Sequence, residues 1–127
     1  LEAGEFGDGT IFAYTATTAA YTYGAEWLQQ MRMYIMENVR FVEEFMKQHL
    51  PKIKVYQPQA SFLVWLDCRE LELSQDELVH LFKAGLALND GSIFGPGGEG
   101  HMRLNIGCPR SVLDKAMNAL KKAVDKK

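Results

Sequence analysis

The sequence predicts an α+β domain with a small, largely antiparallel sheet and helices on one side of it, preceded by a long helix. Three observations carry this. The elements run helix, long helix, two strands, helix, two strands, helix. The long helix and the two later helices each show an apolar stripe at helical spacing. The long helix, at 1.5 Å per residue, would reach about 40 Å, more than a compact domain of this length needs, so it is expected to pack on something beyond the domain.

Residues 1–9 have neither helical nor strand period, and with no initiator Met or signal-peptide core residues 1–11 read as a cloning scar or a disordered lead. Residues 12–127 are taken as one domain. A short helix is expected over 12–23, where Thr and Tyr give only modest propensity. Gly24 then admits the long helix, about residues 25–50. Its apolar positions Trp27, Leu28, Met31, Tyr34, Ile35, Val39, Val42, Phe45, Met46 and His49 follow a 3,4 repeat, and Pro51 ends it. A strand at 53–56 and a turn at Pro58 lead to Ser61-Phe-Leu-Val-Trp-Leu-Asp67, an apolar run that predicts a strand covered on both faces.

Ser74 and Glu77 form a capping box. The helix they open points Leu78, Leu81 and Phe82 inward, with His80 partly buried among them, and is expected to end at Gly85 as a left-handed cap. Leu86–Asn89 predicts a brief strand, Asp90-Gly91 a turn, and 93–100 a loop whose glycines supply conformational freedom. The strand from His101 to Ile106 alternates apolar and polar residues, and Pro109 and Ser111 begin a last helix. Val112, Leu113, Ala116, Met117, Leu120 and Val124 form the stripe of that helix.

Composition excludes several classes. A hydrophobic fraction of 47% argues against disorder, and a formal charge of −2 removes the electrostatic footprint of a nucleic-acid binder. No apolar run approaches the ~20 residues of a membrane span, so no membrane partner is expected. Cys68 and Cys108 lack metal-ligand spacing and read as reduced thiols of a cytoplasmic protein; Cys108, just before a helix, is a weak candidate thiolate.

The chemistry concentrates in His101-Met-Arg-Leu-Asn-Ile106. Met102, Leu104 and Ile106 share one face, while His101, Arg103 and Asn105 share the other. A guanidinium between two hydrogen-bonding side chains suits a carboxylate or a phosphate, because its planar fork matches two oxygens of the anion. The same pattern also describes a half-exposed strand with a wet outer face. Gly95-Pro-Gly-Gly-Glu-Gly100 is not a phosphate loop, since it runs into a strand and not into a helix. His49 and His80 have no partner at a spacing that makes a catalytic pair, whereas Asp67 and Glu70 could face one another, an arrangement ordinary for surface carboxylates.

Several segments together resemble the C-terminal part of fold-type I, pyridoxal-phosphate (PLP)-dependent enzymes of the aminotransferase class I/II type. The branch is the one that holds the cystathionine β-lyases (C–S lyases). The segments are Tyr14-Thr-Ala-Thr, Ala20-Tyr-Thr-Tyr-Gly24, Ala60-Ser-Phe-Leu-Val-Trp-Leu-Asp-Cys68, Phe94-Gly95 and Met102-Arg-Leu-Asn-Ile-Gly-Cys-Pro-Arg110. The resemblance implies that the long helix is of the interdomain type, crossing from a large domain to the small one, that Arg103 pairs with a substrate α-carboxylate and that Phe94 lies in a loop near the substrate. Cys68, Cys108, His80 and His101 match no family catalytic position. None of the lysines here matches the Schiff-base lysine, so no catalytic or cofactor-binding residue is expected in this chain, and no metal.

The parent protein is then expected to use PLP to convert an amino-acid substrate by β-elimination, with aminotransferase activity as the alternative. Its partners are expected to be its own large domain and a second subunit of a homodimer; the chain alone should bind no cofactor and be inactive. Two readings of other classes compete. One is a free-standing small-molecule-binding α+β regulatory module built on Arg103, Asn105 and His101. The other is an interaction domain that uses the long helix as its contact surface.

Overall fold

The computed structural model describes residues 9–83 and 88–126. The chain divides into two compact units, one ending at Tyr34 and the other running from Ile35 to Lys127.

The first unit contains helix α1 (Ile11–Tyr23) and the opening turns of helix α2 (Ala25–His49). The α1 helix starts one residue before the expected position because Thr10 caps it, its hydroxyl accepting the Ala13 N–H at 3.2 Å. Gly24 serves both helices: its N–H donates to Ala20 O at 2.8 Å, and its carbonyl accepts from Leu28 at 2.9 Å. No residue of α1 is buried, and Trp27, Leu28 and Tyr34 of the expected α2 stripe are exposed.

The second unit holds the sheet. Here α2 turns Val39, Val42, Phe45 and Met46 inward. After it come β1 (Lys54–Tyr56), β2 (Leu63–Asp67), a 3₁₀ turn (Arg69–Leu71), helix α3 (Gln75–Lys83), β3 (Asn89–Asp90), a second 3₁₀ turn (Gly91–Phe94), β4 (His101–Asn105) and helix α4 (Arg110–Val124). The four strands lie in the order β1-β2-β4-β3 and every pairing is antiparallel. The architecture is α+β, as the periodicities require. The capping box of α3 is formed: Ser74 N–H donates to the Glu77 carboxylate at 2.9 Å, and Glu77 N–H returns to Ser74 Oγ at 3.4 Å.

Register decides which side chains meet the helices. Val64 lies opposite Leu104 and Leu66 opposite Met102, so these four project from one face. All four are buried in one cluster with residues of α2, α3 and α4, among them Val42, Met46, Phe82, Leu113 and Met117. Full burial of each large apolar side chain is worth about 1.5–3 kcal/mol against leaving it exposed.

Four expectations are corrected. The β2 strand is not covered on both faces: Val64, Leu66 and Asp67 are buried, while Leu63 and Trp65 are only half-buried. The reason is that only one side of the sheet meets the helices. His80 is exposed, because Leu78, Leu81 and Phe82 already fill the inward arc of a helix only nine residues long. Val112 is exposed, since the inward stripe of α4 is centred on Leu113, Met117 and Leu120. Strand pairing near 86–89 is observed at Asn89 and Asp90; the expected Gly85 cap and residues 86–87 lie outside the described residues.

Candidate anion-binding site

The second face of the sheet carries the polar chemistry. Arg103 sits at the centre of β4, paired across the ladder with Trp65 of β2 on one side and Asn89 of β3 on the other. Side chains directly opposite in an antiparallel ladder lie side by side on one face. The Arg103 Nη2 therefore reaches Asn89 Oδ1 and donates to it at 2.9 Å. Its Cζ lies 4.2 Å from the centroid of the Phe94 ring, a cation–π contact of about 0.5–2 kcal/mol. Phe94 in turn meets Trp65 edge-on, with ring centroids 5.8 Å apart. Among the described residues, no carboxylate pairs with Arg103, and its buried Nε finds no hydrogen-bond partner. Within the described residues the charge of this guanidinium is left un-neutralised.

Phe94 is held by a chain of polar bonds. Asp90 caps the 3₁₀ turn that ends at Phe94, its Oδ1 accepting from the Ser92 N–H and hydroxyl, each at 2.8 Å. Burial works against the Asp90 charge, but the bonds from Ser92 and Gln75 outweigh it and hold the carboxyl below its ordinary range. Gln75, the first residue of α3, donates to Asp90 Oδ1 at 2.6 Å and accepts from Gly100 N–H at 2.7 Å. One side chain thus ties both ends of the loop. The loop is pinched: a Cβ on Gly98 would lie 2.1 Å from Gly91 O. Close backbone approach, rather than the expected conformational freedom, is what glycine supplies at that position.

The expected triplet His101, Arg103 and Asn105 separates. His101 is buried and not part of a wet face. Its ring stacks on Trp65 at 5.6 Å and an interplanar angle of 19°, and its Nδ1 bonds Glu99 O at 2.8 Å. Asn105 is exposed and accepts from Gly107 N–H at 2.9 Å, stabilising the chain after β4. Asp67 and Glu70 do not face each other as a pair. Asp67 accepts from Arg69 Nε at 2.9 Å and Nη2 at 2.7 Å, whereas Glu70 pairs with Lys54. The Arg69 fork holds the Asp67 carboxyl far below the usual carboxylate range. Cys68 is fully buried, and burial pushes its thiol up to about 12, so it is no thiolate. Cys108 is half-buried, and its carbonyl accepts from Asn38.

The arrangement can grip one anion: a fixed cation with an aromatic ring on one side and a neutral acceptor at one edge. Among the described groups that meet Arg103 there is no lysine, so the seat offers PLP no Schiff-base partner. Lys54 is tied to Glu70, and the other described lysines lie on α2, α3 or α4 or in the segments that flank them. Among the described residues no cluster suits a metal ion, and no helix is long and apolar enough to cross a membrane. Periodicity exposed Arg103, and the family motif added Phe94. Asn89, Trp65 and Gln75 were missed; the Asx-turn pattern Asp90-Gly-Ser92 was the one local signal that the loop before Phe94 is built.

Comparison with known proteins agrees with this fold and extends it. The family model for aminotransferase class I and II matches residues 9–120. Cystathionine beta-lyase PatB of Bacillus subtilis is 40% identical over 98% of this chain, which corresponds to 33% of PatB. Protein MalY of Escherichia coli is 35% identical over 91% of this chain and 30% of its own length. Among solved structures, cystalysin from Treponema denticola, which contains PLP, matches 92% of this chain and 30% of its own at a TM-score of 0.88 and 30% identity. The chain therefore spans about a third of the length of the relatives it matches. With the family model matching most of its length and an α+β fold shared with its structural neighbours, this chain belongs to the aminotransferase class I and II family.

Proposed function

We propose that residues 12–127 form the C-terminal small domain of a PLP-dependent C–S lyase of amino-acid metabolism, and that Arg103 binds the α-carboxylate of its amino-acid substrate. The observation that carries this is the guanidinium itself, oriented by Asn89 and Phe94 yet with no carboxylate partner among the described residues. The names of PatB, and of the C–S lyase from Staphylococcus hominis whose structure is PLP-bound, support the lyase reading. The residues that hold PLP are assigned to the part of the protein outside this chain. The reaction is β-elimination: the Cα–H and Cβ–S bonds break as the Cα=Cβ bond forms. The sulfur takes up a proton in exchange for the one lost from Cα and leaves as a thiol, and the aminoacrylate that remains adds water to give pyruvate and ammonia. Phe94 lines the substrate side of the same seat. The protein works in the cytoplasm as a homodimer.

The test uses the whole protein. Its absorption spectrum is recorded before and after adding L-cystathionine, and pyruvate is measured in the same sample. A visible cofactor band with pyruvate formation supports the lyase, a band without pyruvate moves the reading to an aminotransferase, and no band sinks it. Arg103→Ala should weaken substrate binding by about 2–5 kcal/mol, seen as a raised KM. An unchanged KM removes Arg103 from the site. This chain by itself is expected to form no pyruvate.

A further inference from the structure

We infer that Asn89 is a positioning residue of this site, whose neutral amide oxygen holds the Arg103 guanidinium in place without neutralising it. The inference rests on the reading of Arg103 as the carboxylate-binding group.

Three features of the guanidinium lead there. The Phe94 ring lies against it, with Arg103 Cζ 4.2 Å from the ring centroid. Its Nε is buried, out of reach of a ligand from solvent. One proton of Nη2 is given to Asn89 Oδ1 at 2.9 Å. Among the described residues the hydrogen bond to Asn89 is the one side-chain bond the guanidinium makes, so Nη1 is left without a side-chain acceptor and, with Nη2, can offer paired donors to the two oxygens of one carboxylate. The chemistry of residue 89 therefore decides how strongly those donors attract their ligand. An amide oxygen accepts a bond and leaves the full positive charge to the incoming anion. A carboxylate at the same place would form an ion pair with Arg103 and compete with the substrate for it. Asn89 owes its position to register: β3 is only two residues long, and its first residue pairs with Arg103. Gln75 bonds the adjacent Asp90 and so holds that short strand at its end.

The test compares Asn89→Asp, Asn89→Ala and Asn89→Gln in the whole PLP-loaded enzyme, with L-cystathionine as substrate and Arg103→Ala as reference. Asn89→Asp is expected to raise KM by about tenfold or more and Asn89→Ala by a smaller factor, with kcat within about twofold and the melting temperature unchanged. Asn89→Gln, which keeps a neutral acceptor, should restore KM toward the parent value. A KM unmoved by both Asn89→Asp and Asn89→Ala, while Arg103→Ala raises it, overturns the role of Asn89 alone. A KM unmoved by Arg103→Ala overturns the carboxylate reading, and an enzyme that does not turn over L-cystathionine overturns the lyase reading; either removes the premise of this inference. Equal rises for Asp, Ala and Gln would reduce Asn89 to a packing residue and also overturn it.

Discussion

Asn38 of α2 accepts a hydrogen bond from Arg110 Nε, at the first residue of α4, at 2.8 Å across 72 positions of sequence. The same Asn38 side chain, fully buried, donates to Ile106 O at 2.9 Å and Cys108 O at 3.0 Å. Its amide thus fastens the chain leaving β4 to the long helix. Arg110 also lies 4.6 Å from the centroid of the Phe41 ring, one helical turn along α2.

Truncation of this side chain leaves two backbone carbonyls short of a donor in the core. We expect Asn38→Ala to cost about 2–4 kcal/mol, measured as a lower urea midpoint at constant slope. Asn38→Asp should be no better tolerated, because it sets an acceptor against two carbonyl oxygens.

The buried Asp67 predicts an acid limb in the stability curve. Hydrogen bonds from Arg69 lower its pKa in the folded state below the value of about 3.9 in an unfolded chain. Its contribution is therefore fully present above about pH 4 and is lost as pH falls through the lower, folded value. Melting temperatures recorded from pH 7 down to pH 2 should show Asp67→Asn less stable at neutrality, with a smaller drop on acidification.

Gln75 and Gly98 test the pinched loop. Gln75→Ala removes the bonds to Asp90 and to Gly100 N–H and should destabilise the fold by about 1–3 kcal/mol. Gly98→Ala drives a methyl group into Gly91 O and should be worse. Amide exchange of Gly100 in Gln75→Ala, read by mass spectrometry, should rise faster than exchange of Leu66 at the sheet centre.

The two thiols should separate under alkylation. Cys68 is sealed in the core and its thiol is pushed up to about 12, so iodoacetamide at pH 8 should label Cys108 alone in the folded protein. Labelling of both in urea completes the comparison. Fast labelling of Cys68 without denaturant would show that β2 is not packed as described.

Much of this architecture is written in local pattern. The inward positions of α3 follow from its capping box and the 3,4 spacing of Leu78, Leu81 and Phe82. The core face of β4 follows from alternation alone. Alternation failed where the neighbouring strand intervenes: His101 has the outward phase of Arg103, yet the Trp65 ring covers it. Asn89 could not be found by period, since a strand of two residues has none. Gln75 looked like an ordinary first-turn residue, and its partners lie 15 and 25 positions away. Arg103 was legible because one residue carries its charge, whereas the groups that aim it come from two other elements.

The strand order has a consequence for biosynthesis. The inner partner of β2 is β4, made only after α3, β3 and the glycine loop have left the ribosome. Until then β2 has an unpaired edge and a bare row of Val64 and Leu66, the kind of surface that invites wrong pairing. Assembly of this sheet therefore waits for β4, and Arg103 arrives on the strand that joins β2 to β3. A stall between Asp67 and His101 would release a nascent chain with an open hydrophobic sheet edge, a client for chaperones, and no anion seat.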